Sequence, residues 1–208
     1  MKKLVAPLSL LLTLASTHSM ASTTEVTLTG TLTPSACTPL LGNGGVVDYG
    51  RVPAQDLEDQ DANYYVLPAK QLSLSIQCSG DTLFALTSTD NRHDSSGANP
   101  VSHGLGMHKG QKIGMLAVGL SAPEMDGTPR KVLVSFNAGN TWLPDVFQFF
   151  TPSQKSPNTR VAFGDLATPV PGTRLSANLD ITSFISKTLP FTEDIQIDGS
   201  TTLNIIYL

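Results

Sequence analysis

The stretch Thr24 to Cys37, TEVTLTGTLTPSAC, constrains this chain more than any other. From Glu25 to Thr33 it alternates without a break, with Val26, Leu28, Gly30 and Leu32 in one row and Glu25, Thr27, Thr29, Thr31 and Thr33 in the other. Alternation at period two places the rows on opposite faces of a β-strand. Val and Thr favour the pleated backbone, and Pro34 removes a backbone donor and ends the run. About 10 residues at ~3.3 Å each give a strand of roughly 33 Å. Its apolar face and its backbone groups both need partners, so it must lie in a groove, either its own domain's or a neighbour's. Gly30 in the apolar row marks a close backbone approach or a shallow spot. The plainer alternative is an ordinary first strand of a sandwich.

The segment ahead of this strand reads as a secretory signal peptide. Lys2 and Lys3 give a charged start, Leu4 to Ala15 an apolar run, and Ser19-Met20-Ala21 a small-residue cleavage site. The run is too short to span a bilayer, and no later segment is apolar enough to do so. The expected organisation is a signal peptide over 1–21, an N-terminal arm over 22–33 and one β domain over 34–208. Export places Cys37 and Cys78 in an oxidising compartment, where a disulfide is the default; a metal pair or free thiols are the alternatives. The chain carries 13 Lys plus Arg against 17 Asp plus Glu with no basic run, which argues against a nucleic-acid partner.

The rest of the sequence predicts strands joined by turns. Gly42 to Gly45 is a turn and Val46 to Val52 a short strand. Gln71 to Ser79 is the clearest core strand, with Leu72, Leu74, Ile76 and Cys78 on one face. Thr82 to Ser88, Lys112 to Ser121, Lys131 to Asn137, Val146 to Thr151 and Arg160 to Leu166 follow, and Leu175, Ala177, Leu179 and Ile181 alternate again. Asp90 to Gly110, rich in Gly, Ser, Asn and His, is expected to be a long surface loop. Asp198-Gly199 signals a hairpin turn before a terminal strand from Leu203 to Leu208. No segment has helical periodicity, and eight or nine strands at hairpin-like spacing argue for an all-β sandwich.

These residues resemble a chaperone–usher pilus subunit. The features are the alternating arm with Gly30 in its apolar row, Cys37, the Val46-Val47-Asp48-Tyr49-Gly50 segment, Cys78 at the end of an alternating strand, and the penultimate Tyr207. The resemblance implies an immunoglobulin-like sandwich that lacks its last strand. A periplasmic chaperone lends a strand to such a fold. At the outer-membrane usher, the arm of a neighbouring fimbrial subunit replaces it. Val26, Leu28, Gly30 and Leu32 would then be the donated face, and Leu203, Ile205 and Tyr207 a wall of the acceptor groove and the chaperone contact. The final location would be a fimbria at the cell surface, with a role in adhesion. Loops at 53–68, 90–110 and 122–130 exceed those of an ordinary major pilin and point to a minor or adaptor subunit.

A narrower likeness runs to the GltF-type family of exported bacterial proteins, through SACTPLLGNGGVVDYG, the TSTDNR stretch ending at Arg92, and GQKIG at 110–114. It implies an alternative: a periplasmic β-sandwich that fills its groove with its own arm and binds a ligand or partner in a sensing or regulatory role.

Enzyme chemistry has little to stand on. There is no Gly-x-Ser-x-Gly elbow, no His-Glu-x-x-His, and no placeable pair of carboxylates. His93, His103 and His108 share one polar loop and read as solvated. Asp59, Asp61 and Asn63 have the spacing of a calcium loop, but Tyr64 stands where its Gly belongs and Lys70 where its Glu belongs, so a solvated loop is expected. Trp142, the only Trp, could stack on a sugar or sit half-buried at the core rim. Neither a cofactor nor a metal is expected.

Overall fold

The computed structural model describes residues 36–144 and 148–208. Eight principal strands build it: β1 (Cys37–Leu41), β2 (Lys70–Thr82), β3 (Phe84–Asp90), β4 (Gly114–Met125), β5 (Lys131–Ser135), β6 (Arg160–Asp165), β7 (Gly172–Ser186) and β8 (Thr201–Tyr207). All their pairings are antiparallel. The first sheet runs β1-β2-β7-β4, and Tyr64–Val66 pairs with the end of β7. The second runs β5-β6-β3-β8. The fold is an all-β sandwich, and Cys37 and Cys78, direct cross-strand partners in β1 and β2, form its disulfide.

The alternating strands face the core as their patterns dictate. Leu74, Ile76 and Cys78 of β2 and Leu175, Ala177 and Leu179 of β7 pack against Leu86, Val132, Val134, Val161 and Phe163 of the second sheet. Strands β5 and β6 carry the continuous apolar runs Val132–Val134 and Val161–Phe163 because their outer face is also covered. There Ala85, Leu133 and Ala162 form a second cluster under Trp142.

Four expectations differ from the structure. Val46 to Val52 joins no ladder among the described residues and is broken at Gly50, where φ is +61°. Of the Val146–Thr151 strand, 146 and 147 lie outside the described residues; Phe149 makes only a single bridge to Gly119, and the Phe150 amide donates to Val118. Asp198-Gly199 makes no hairpin. Its backbone runs extended into β8, with the Asp198 amide donating to Leu105 and Gly199 lying so close to Leu105 that a Cβ would sit 2.9 Å from Leu105 Cδ2.

The fourth concerns Asp90 to Gly110, where Ser95, Ser96 and Ser102 to Gly106 fold inward while Asn91, His93, Asp94, Lys109 and Gly110 stay on the surface. His103, fully buried, pairs with Leu116 of β4, and Leu105 joins the core. A polar segment can enter a core when its polar groups are partnered. The Asp90 carboxylate accepts from the Arg92 and Gly104 amides, and Ser95 Oγ donates to the Arg92 carbonyl and accepts from the Gly106 amide. Lys155 Nζ donates to the Gly97, Asn99 and Ser102 carbonyls at 2.7–2.8 Å.

Candidate functional site

The second sheet ends at β8, which among the described residues pairs only with β3. Beside that edge the apolar interior is open as a groove of about 1010 Å³. Its floor is the inner face of the first sheet: Leu72 of β2, Leu179 and Ile181 of β7, and Leu116 and Val118 of β4. Two lips border it. One is segment 46–53, which places Val47, Tyr49 and Val52 against the core. The other is 191–199, which contributes Ile195 and Ile197 and continues into β8 and Leu203.

Neither lip joins a ladder among the described residues, and the first is broken at Gly50, where φ is +61°. Among the described residues, neither the amides nor the carbonyls of Val47, Asp48, Tyr49, Arg51 and Val52 enter a backbone–backbone hydrogen bond, and the same holds from Glu193 to Ile197. Backbone without ladder partners can serve as a template for another strand. The lips are held by side chains. Arg51 of the first lip pairs with Asp194 of the second at 3.1 Å. Glu193 meets His108 and Lys109, and Asp198 accepts two bonds of 2.8 Å from the Arg92 guanidinium. The Lys109 hydrogen bond holds the Glu193 carboxyl below its ordinary range, and the Arg92 hydrogen bonds do the same for Asp198.

The sequence-predicted site residues fall as follows. Leu203 and Ile205 are partly buried against the core from β8, with Leu203 on the groove wall. Tyr207 is half-exposed, and its hydroxyl accepts the Cys37 amide at 3.0 Å, joining the end of β8 to the start of β1. Val26, Leu28, Gly30 and Leu32 lie outside the described residues, as do the boundaries of the signal peptide and arm. The three histidines do not share one environment: His103 is buried with Nε2 3.1 Å from Ser88 Oγ, correcting the reading of it as solvated. Burial lowers its pKa, opposed by the nearby Asp90 charge. In the calcium-like stretch, Asp61 Oδ1 accepts from the Asn63 and Tyr64 amides and Asp59 pairs with Lys187, so both carboxylates hold the local fold. Trp142 is buried over the second sheet.

Sequence reading missed the second lip. Its signal was present in Glu193 to Ile197, where acidic residues precede two isoleucines in alternation, but no strand pairing follows from that pattern alone.

Fold and groove together define a class: a disulfide-linked β-sandwich with an apolar groove beside the β8 edge. Residues 26–114 match the profile of a family described as a protein of unknown function (DUF1120). The chain is 37% identical over 119 residues to the protein GltF of Escherichia coli (strain K12), a match covering 47% of this chain and 47% of GltF. It thus spans about half the length of that relative. It is also 28% identical over 211 residues to the uncharacterized protein YhcF of the same organism, covering 86% of this chain and 87% of YhcF. The likeness these comparisons support is to GltF and YhcF; neither the family description nor either name is that of a fimbrial subunit. Among the described residues no helix is long and apolar enough to cross a membrane.

Proposed function

We propose that this is an exported, GltF-like binding protein without enzymatic activity, whose groove takes an extended apolar segment by strand addition. Its own residues 24–33 are the resident occupant. The observation that carries the reading is the apolar groove between two lips that join no ladder among the described residues. Burying Val26, Leu28 and Leu32 contributes about 1.5–3 kcal/mol each. Ordering ~10 residues costs about 1–2 kcal/mol per residue, so burial alone does not hold the strand. Backbone pairing at about 0.5–1.5 kcal/mol per bond must supply the rest, which requires both lips.

The arm reaches β1 through Pro34, Ser35 and Ala36, and β1 starts at Cys37 beside Tyr207.

The free edge of β8 favours one second reading, a fimbrial subunit whose groove is filled by a chaperone strand and then by a neighbour's arm at the usher. Cross-linking mass spectrometry on the protein purified from periplasm tests the choice. The self-filled reading expects a monomer with intramolecular links from 24–33 to 46–53 and 191–207. A ladder of heat-resistant oligomers with intermolecular links supports the fimbrial reading, and links from 24–33 to neither 46–53 nor 191–207 overturn both.

A further inference from the structure

The groove is bridged at its mouth. Arg51 and Asp194 stand on opposite lips and form an ion pair at 3.1 Å, although both side chains are more than 80% exposed. Around them the lips have no backbone pairing to each other, and beneath them Val47, Tyr49, Val52, Ile195 and Ile197 are partly buried while Val118 and Leu179 of the floor are buried. We infer that the Arg51–Asp194 pair is a clasp that must open before a strand can enter, so that it sets the rate of exchange at the groove. This rests on the reading of the groove as a strand acceptor and adds its regulation.

The pair's exposure makes it a releasable device. An ion pair in bulk-like dielectric is weak and screened by salt, so it slows entry without blocking it. The second lip stays anchored when the clasp opens, because Glu193 and Asp198 hold it through His108, Lys109 and Arg92. Opening therefore swings a tethered strap and leaves the sandwich intact.

The test uses the full exported protein and a fluorescein-labelled synthetic peptide of residues 24–33, with association followed by stopped-flow anisotropy. Arg51→Asp should raise the association rate about threefold, the scale of one exposed ion pair. The swap Arg51→Asp/Asp194→Arg should bring it back to the wild-type rate. The peptide carries the Glu25 carboxylate, so long-range electrostatics alone would make Arg51→Asp slower, which separates the clasp from simple steering. Binding with an unchanged or slower rate in Arg51→Asp, or a swap that fails to restore it, overturns the clasp and leaves the groove reading standing. A peptide that binds none of the proteins overturns the clasp as the step that sets exchange and leaves the groove reading standing, because a resident arm would hold the groove against it.

Discussion

The amide of Cys37 donates to the hydroxyl of Tyr207 across 3.0 Å, tying the start of one sheet's edge strand to the end of the other's. The same Cys37 is held to β2 by its disulfide, so β1, β2 and β8 meet at one end of the groove. Tyr207→Phe removes the acceptor and keeps the ring. With Tyr207 half-exposed, the expected cost is at the low end of the usual range, about 0.5 kcal/mol, read as a small drop in the urea midpoint with unchanged slope. A loss of several kcal/mol would mean that the hydroxyl does more than latch the strands.

Removing the disulfide should cost more. Cys37 and Cys78 are 41 positions apart, and the loop-closure estimate for such a span is roughly 4 kcal/mol. The Cys37→Ser/Cys78→Ser protein should be protease-sensitive at 37 °C. Unfolding at the wild-type midpoint would show that the bond adds nothing to the equilibrium.

His103 gives the fold a pH response in a defined window. Burial holds its native pKa below the ordinary 6.5, so the unfolded chain binds the proton more readily. Stability is therefore complete above about pH 6.5 and falls as pH drops from there toward the lowered native value. The carboxylates with depressed values, Asp126, Glu193 and Asp198, lose their contributions only in more acidic solution, below about pH 4. The urea midpoint should fall between pH 7.5 and 5.5, and fall less in His103→Gln. Identical pH dependence in the two proteins would exclude His103 as the source.

Gly104 separates the inward-folded segment from a surface loop. A Cβ there would lie 2.1 Å from the Arg92 carbonyl oxygen and 2.2 Å from Ser95 Oγ. Gly104→Ala should destabilise by about 1–3 kcal/mol, the range for forced overpacking. Gly110, with φ at +79° but open space around it, should cost about 1 kcal/mol when replaced by Ala. Equal, small effects would contradict the packing of 90–106.

The strands with one buried face were legible because alternation survives in the sequence. Leu72 to Cys78 and Leu175 to Ile181 point where period two puts them. The Cys37–Cys78 bond followed from compartment and count. The burial of 90–106 was not legible, because it depends on long-range partners: Asp90 with Gly104, and Lys155 with carbonyls more than 50 positions away. Nothing local in Ser, Gly and Asn announces such a network. Of the groove, Leu203 was named through the resemblance to a pilus subunit, but the lips could not be named. Segment 46–53 has strand composition without a strand's pairing, and 193–197 carries charges whose partners, Arg51 and Lys109, come from other elements.

The central claim is that the groove holds a strand. Its most direct measurement is residue-level amide exchange by NMR over 201–207 in the full exported protein. In an antiparallel ladder every second amide of β8 turns to β3 and the others face the open edge. The account predicts that these outward amides are protected on the order of 100-fold, and that Leu28→Asp in the arm removes that protection while the β3-facing amides keep theirs. Outward amides that exchange at open-chain rates in the wild-type protein would show an empty edge and contradict the account.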